Sequence, residues 1–172
     1  PVFAILAQNP ELTDGFDRGW SQVAARAASR FHEKRRNSPG GSRRNISDHY
    51  DLGNALFDLF LDRSMNYSSA FFQSGHDSLD TAGQNKLERI CNKLSLDASH
   101  HVLEVGCGWG GFAIHAASRF GCRVTGITIS QEQFEFAKAK VIEAGLTEKI
   151  EILLCDYRDH QGQYDRVVSI EM

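Results

Sequence analysis

The residues Val102-Leu-Glu-Val-Gly106-Cys-Gly108-Trp-Gly110-Gly111 run from an apolar stretch into four glycines, and a second apolar-periodic stretch follows. Glycine has no Cβ, so it accepts positive φ in a tight turn and lets the main chain approach a ligand; a helix starting there presents unpaired N–H groups. That combination suits a nucleotide-like cofactor. Gly106, Gly108 and Gly111 also satisfy G-x-G-x-x-G, which on its own points only weakly to a dinucleotide. A dinucleotide site wants an Asp or Glu for the ribose hydroxyls about 20 residues on, whereas the next apolar run ends Gly126-Ile-Thr-Ile-Ser130 without an acid. Glu104, two residues before Gly106, fits instead a carboxylate at a strand end facing the cationic end of S-adenosylmethionine; the alternative is a solvated strand-end charge.

Two further groups lie where such a cofactor would extend, and a third lies apart from them. Ser130-Gln-Glu-Gln133 reads as a capping box, with Gln133 reaching back to the Ser130 backbone N–H, which needs no cofactor. Asp156 and Tyr157 close a third apolar run, where a carboxylate can accept from an adenine amino group and a ring can pack on the base; an Asx-type turn with an edge aromatic is the alternative. The loop Asn66-Tyr-Ser-Ser-Ala-Phe-Phe72 supplies aromatic walls for a pocket, or ordinary core.

The elements that must position these groups follow from periodicity. Residues 17–36 carry a helical pattern that ends at Asn37-Ser-Pro-Gly-Gly-Ser42, a linker candidate, and Ala55–Leu61 carries another with Asn54 as N-cap. An amphipathic helix starts at Ser78. From His101 strands and helices alternate: strand His101–Val105, helix Gly111–Phe120 closed by Gly121, strand Arg123–Thr128, helix Gln131–Ala144 closed by Gly145, then strands Ile150–Cys155 and Arg166–Ile170. This order predicts a parallel sheet with right-handed crossovers. Such sheets commonly have six or seven strands and only four are visible, so with Pro1 at the start the chain reads as a fragment of poor stability on its own.

The 172 residues suit one domain with the composition of a soluble globular protein. Cys91, Cys107, Cys122 and Cys155 show no metal-ligand spacing and read as reduced thiols of a cytosolic protein. Val2–Ala7 is too short for a signal peptide, and no stretch approaches the ~20 apolar residues that span a bilayer, so membrane contact is expected to be peripheral. Residues 1–44 carry eight Lys/Arg against four Asp/Glu, and the remainder eleven against eighteen. The cluster Lys34, Arg35, Arg36, Arg43 and Arg44 would attract anionic headgroups by about 1 kcal/mol per cation, or be a solvated face.

From about Arg43 to Met172 the sequence strongly resembles the cyclopropane fatty acid synthase family, including mycolic acid cyclopropane synthases and related fatty-acid methyltransferases. The resemblance is carried by Asn45-Ile-Ser-Asp-His-Tyr-Asp-Leu-Gly-Asn54, Leu61-Asp62 through Asn66-Tyr-Ser-Ser-Ala70, Val102–Gly111, Gly126–Gln133, Asp156-Tyr-Arg158 and Tyr164–Met172. It implies a Rossmann-like class I methyltransferase fold, incomplete here at its first four strands: N-terminal helices and linker over 1–42, then a cofactor domain over 43–172. It implies that Tyr50, Tyr67 and Ser68 hold the methionine end of S-adenosylmethionine, that Gly106, Gly108 and Gly110 wrap it, that Thr128 and Gln133 take the ribose, and that Asp156 and Tyr157 frame adenine. It also implies bicarbonate as base, with Ser69, where many relatives have Cys, and the Ile170 backbone among its ligands; a Glu and a His are expected beyond Met172.

The activity so implied is transfer of a methylene unit to the cis double bond of unsaturated phospholipid acyl chains. The enzyme would be cytoplasmic, docked on the inner face of an anionic membrane, and the reading admits a homodimer. Methyl or methylene branching is the nearest alternative. A methyltransferase for nucleic-acid bases would place Asn/Asp-Pro-Pro-aromatic after the fourth strand; Ser169-Ile-Glu-Met172 has none of these, and the acidic body opposes phosphate binding. An NAD oxidoreductase lacks its ribose acid, and a non-catalytic binding fragment is the remaining class.

Overall fold

The computed structural model describes residues 56, 57 and 59–171. The predicted helix over 17–36, the linker, the basic cluster, Asn54 and Tyr50 lie outside the described residues. Of the predicted stretch Ala55–Leu61, Leu56 and Phe57 are helical, and Leu59 and Phe60 already form a turn. The Asp62 side chain then accepts from the Ser64 hydroxyl at 2.7 Å and the Asn66 N–H at 3.3 Å, which fixes a loop.

Helix α1 (Leu79–Lys93) begins where the Ser78 hydroxyl accepts the Thr81 N–H at 3.1 Å, and Asp80 in its first turn and Lys93 in its last suit the helix dipole. It buries Ala82, Gly83, Leu87 and Cys91. Gly83 has to lack a side chain because the Asp62 carboxylate occupies the space of its Cβ. Beyond α1, Ser95 turns the chain at φ 50° toward the sheet.

Four parallel strands follow: β1 (His101–Val105), β2 (Arg123–Thr128), β3 (Ile150–Leu154) and β4 (Arg166–Ser169), in the order β3-β2-β1-β4. Parallel neighbours require crossovers, and α2 (Gly111–Phe120) and α3 (Gln131–Glu143) supply the first two. Pairing of Val105 with both Ile127 and Ser169 brings the carboxyl ends of β1, β2 and β4 level, so the loops leaving them gather at one edge. The core packs Val102, Val124, Ile150 and Val168 of the sheet with Leu87, Phe112, Ala113, Ala117 and Val141 of the helices. Full burial of a side chain such as Phe112 contributes about 1.5–3 kcal/mol.

The predicted parallel α/β order holds, and β1, α2 and β2 have the predicted bounds. α3 stops one residue early, with Ala144 as its cap, and β3 and β4 each end one residue short. The last β2–β3 bond runs from the Cys155 N–H to the Thr128 carbonyl at 2.9 Å, and beyond it the chain turns at Asp156, whose carboxylate accepts the Arg158 N–H at 3.0 Å. No described helix is long and apolar enough to cross a membrane.

Candidate cofactor and active site

The glycine loop is shaped by its exit from β1. The Gly106 and Cys107 N–H groups both donate to the Ile127 carbonyl, at 2.9 and 3.0 Å, which folds the loop over β2. Gly106, Gly108 and Gly110 have φ of 76°, 53° and 85°, in the left-handed region that side chains disfavour. A Cβ on Gly108 would meet nothing within 4 Å, so that position opens into free space. Gly111, which opens α2, is different: the Ser64 carbonyl lies where its Cβ would be.

Glu104 is 3 % exposed, and one carboxylate oxygen, Oε2, is buried with no hydrogen-bond partner among the described residues. Burial pushes its carboxyl well above the usual range, against a smaller pull from the Ala113 backbone N–H at the start of α2. An acceptor of this kind beside three positive-φ glycines is what a buried cationic group would satisfy. The residues therefore fit the cationic end of S-adenosylmethionine.

At the end of β2, Thr128 and Gln133 are both buried and touch: the Thr128 hydroxyl donates to Gln133 Oε1 at 3.0 Å. The Ser130 hydroxyl accepts the Gln133 N–H at 3.3 Å, which is half of the predicted capping box. The returning half does not form. The Ser130 N–H donates instead to the Thr128 hydroxyl at 3.2 Å, and the Gln133 side-chain oxygen is taken by that same hydroxyl.

Asp156, at the end of β3, is buried, and its carboxylate is held by Arg158 through the backbone N–H at 3.0 Å and Nε at 2.8 Å. Tyr157 beside it is exposed, with the Arg158 guanidinium 5.7 Å from its ring centroid. The Arg158 N–H on the Asp156 carboxylate forms the predicted Asx-type turn. At the end of β4, Ile170 packs against the core, and the Ser169 hydroxyl donates to the Val105 carbonyl at 3.1 Å, tying β4 to β1 just before the glycine loop.

The loop from Leu59 to Phe72 joins the glycine loop through a small second core. Phe57, Met65 and Trp109 are buried together, Phe57 stands 5.0 Å from the Trp109 ring, and Tyr67 packs edge-on against Phe57 at 5.4 Å. Tyr67 keeps 47 % of its surface exposed; Ser68 is half-buried and Ser69 exposed. The structure thus gathers Glu104, the glycines, Thr128 with Gln133, and Asp156 with Tyr157 at the carboxyl ends of the strands. Tyr67 and Ser68 follow Met65, which is tied to Trp109 of the glycine loop.

Two side chains were not singled out from sequence. Lys86, on α1, places its ammonium against the Ser68 hydroxyl, and Arg158 holds Asp156. The i,i+2 spacing of Asp156 and Arg158 was a readable sign; nothing in the α1 pattern marks Lys86. A separate cleft of about 790 Å³ between α1, α2 and α3 is lined by Trp109 and Phe136 but by none of the predicted site residues.

With this geometry in hand, the family model for mycolic acid cyclopropane synthetase matches residues 37–172. The chain belongs to this family. It is 43% identical over 145 residues to a probable fatty acid methyltransferase of Pseudomonas putida, covering 83% of the chain and 36% of that relative. It is 46% identical over 125 residues to the cyclopropane-fatty-acyl-phospholipid synthase of Escherichia coli K12, covering 73% and 31%. It spans about a third of the length of these relatives. Among solved structures, mycolic acid cyclopropane synthase CmaA1 complexed with SAH and CTAB aligns with TM-score 0.71 at 32% identity, over 74% of the chain and 45% of that one. The cyclopropane synthase MmaA2 from Mycobacterium tuberculosis aligns equally well at 30% identity, over 74% and 45%. The parallel sheet is therefore the Rossmann-like sheet of class I methyltransferases, as expected from the sequence.

Proposed function

We propose that the protein transfers a one-carbon unit from S-adenosylmethionine to the cis double bond of unsaturated phospholipid acyl chains, forming cyclopropane fatty acids. The observation that carries the reading is Glu104: a buried carboxylate with an unpartnered oxygen beside the glycine loop asks for a cation. An isolated double bond is a poor nucleophile, so the reaction needs an activated carbon held in a dry, aligned pocket. S-adenosylmethionine supplies that carbon as a methyl on its sulfonium. Glu104 offers counter-charge, Thr128 and Gln133 receive the ribose, Asp156 and Tyr157 frame adenine, and Tyr50, Tyr67 and Ser68 take the methionine end.

Ring closure also needs a base near the transferred carbon, and we assign Ser69 and the Ile170 backbone to holding a bicarbonate ion in that role. The Lys34–Arg44 basic residues would bring the protein to the cytoplasmic face of anionic membranes. A second reading, methyl or methylene branching, is favoured by the resemblance to fatty acid methyltransferases. The two share cofactor and substrate: loss of a proton from the transferred methyl closes the ring, whereas loss of one elsewhere leaves an unsaturated branch and a saturated methyl branch needs a hydride donor besides.

The test has two parts. Calorimetry of the intact protein should show binding of S-adenosylhomocysteine and none of NAD. Incubation with S-adenosylmethionine and vesicles of unsaturated phospholipid should yield cyclopropane chains by gas chromatography and mass spectrometry. Branched chains alone would replace the first reading by the second, and NAD binding without S-adenosylhomocysteine binding would refute both.

A further inference from the structure

Lys86 sits mid-way along α1 with its ammonium against the Ser68 hydroxyl, and its side chain is half-buried. It forms no ion pair within 4 Å among the described residues. An ammonium has three donors, so a part-buried lysine that meets one neutral hydroxyl is poorly satisfied. Burial accordingly lowers its pKa, while the charges of Glu171 and Asp62 act the other way and favour the ammonium. Asp62 itself is occupied, since its oxygens accept from the Ser64 hydroxyl and the Asn66 N–H.

A second donor lacks a partner at the same place. The Ser68 hydroxyl donates to the Asn66 side-chain oxygen at a long 3.4 Å, and the Nδ2 of the same amide is buried with no hydrogen-bond partner among the described residues. Lys86 and Asn66 thus leave surplus donors around Ser68, whereas Glu104 leaves a surplus acceptor on the strand side. An amino-acid moiety has the complementary pair of groups, an ammonium and a carboxylate. None of the other described residues assigned to the methionine end, Tyr67, Ser68, Glu104 and the glycines, carries a positive charge.

Resting on the cofactor reading above, we propose that Lys86 supplies the positive charge that receives the α-carboxylate of S-adenosylmethionine, with Ser68 held between them and Asn66 as a second donor. A hydroxyl that accepts from an ammonium is polarised and becomes a better donor to a carboxylate. Lys86 therefore acts both by its charge and by polarising the Ser68 O–H, which turns from its long bond to Asn66 to the carboxylate when the ligand binds.

The experiment compares S-adenosylhomocysteine with its decarboxylated analogue S-adenosyl-3-thiopropylamine, which keeps the amine and lacks only the carboxylate. Calorimetry is run on the intact wild-type protein, K86M and K86R. K86M should weaken S-adenosylhomocysteine about 10- to 100-fold, the range for a hydrogen bond to a charged group, and leave the analogue within about twofold. K86R keeps the charge and should stay within about tenfold of wild type for both ligands. Equal losses for both ligands in K86M would show that Lys86 only shapes the Ser68 loop, and unchanged affinity for both would show that it does nothing for the site; either result overturns the proposal. Failure of the wild type to bind either ligand overturns the cofactor reading itself.

Discussion

Replacing Glu104 by Gln should make the ligand-free protein more stable at neutral pH while weakening its cofactor site. Glu104 is 3 % exposed, its Oε2 has no partner among the described residues, and burial raises its carboxyl well above the ordinary 4.5. The sign is opposite to that of a salt-bridged carboxylate. The folded protein keeps the proton at pH values where the unfolded chain has lost it, so the unfolded state binds fewer protons and stability falls as pH rises. The loss begins near 4.5, runs at about 1.4 kcal/mol per pH unit and ends at the raised folded pKa. The neutral amide of E104Q has no such loss and keeps an acceptor for the Ala113 N–H. Urea denaturation of both proteins from pH 4 to 8 should therefore show the variant gaining on wild type with that slope. A cationic ligand reverses the balance: it favours ionised Glu104, so binding should release protons, measurable by calorimetry in buffers of different ionisation enthalpy. E104Q should bind S-adenosylhomocysteine about 10- to 100-fold more weakly and without this release. A stability difference that stays flat between pH 4.5 and 8 would refute the reasoning.

Three further outcomes are expected. Gly108→Ala should cost only about 1–2 kcal/mol of stability, from its φ of 53° with open space around it, yet lower S-adenosylhomocysteine affinity about tenfold or more; calorimetry showing unchanged affinity would make the loop purely structural. Gly126→Ala should destabilise by about 1–3 kcal/mol in urea denaturation, since its Cβ would lie 2.9 Å from that of Cys107 and 3.0 Å from Ile152 Cδ1. Iodoacetamide at neutral pH should label Cys155 first, as mass spectrometry would show, because Cys107 and Cys122 are buried with raised pKa values and burial pushes Cys91 up to about 12.

The parts of the site legible in the sequence are those set by local backbone rules. Gly121 and Gly145 adopt positive φ beyond the ends of α2 and α3, as a C-terminal glycine signal predicts, and the Ser130 cap forms as its spacing requires. Strand ends were less readable: β3 and β4 stop one residue before their apolar runs do, because their pairing ends at Leu154 opposite Thr128 and at Ser169 opposite Val105 of neighbouring strands. Side-chain partners were less readable again. Gln133 had two local uses, as a capping residue for Ser130 and as an acceptor for the Thr128 hydroxyl five residues back, and the second one forms. Lys86 reads as an ordinary polar position next to Leu87, since its partner Ser68 is 18 residues away on a loop with no period of its own.

The glycines of the loop carry this difference to single residues. In sequence Gly108 and Gly111 are equivalent members of one G-x-G-x-x-G pattern. In the fold Gly111 is required because a neighbouring loop, through the Ser64 carbonyl, fills the space of its Cβ, whereas Gly108 is required by its φ and faces open space. The first is a demand of the protein on itself; the second leaves room for something else. Gly126, outside the pattern, is likewise hemmed in by the protein, though less tightly than Gly111, because Cys107 of the loop and Ile152 of β3 close on it. A glycine pattern therefore marks where backbone must come close, and only the packing tells whether the approaching partner is the protein or its ligand.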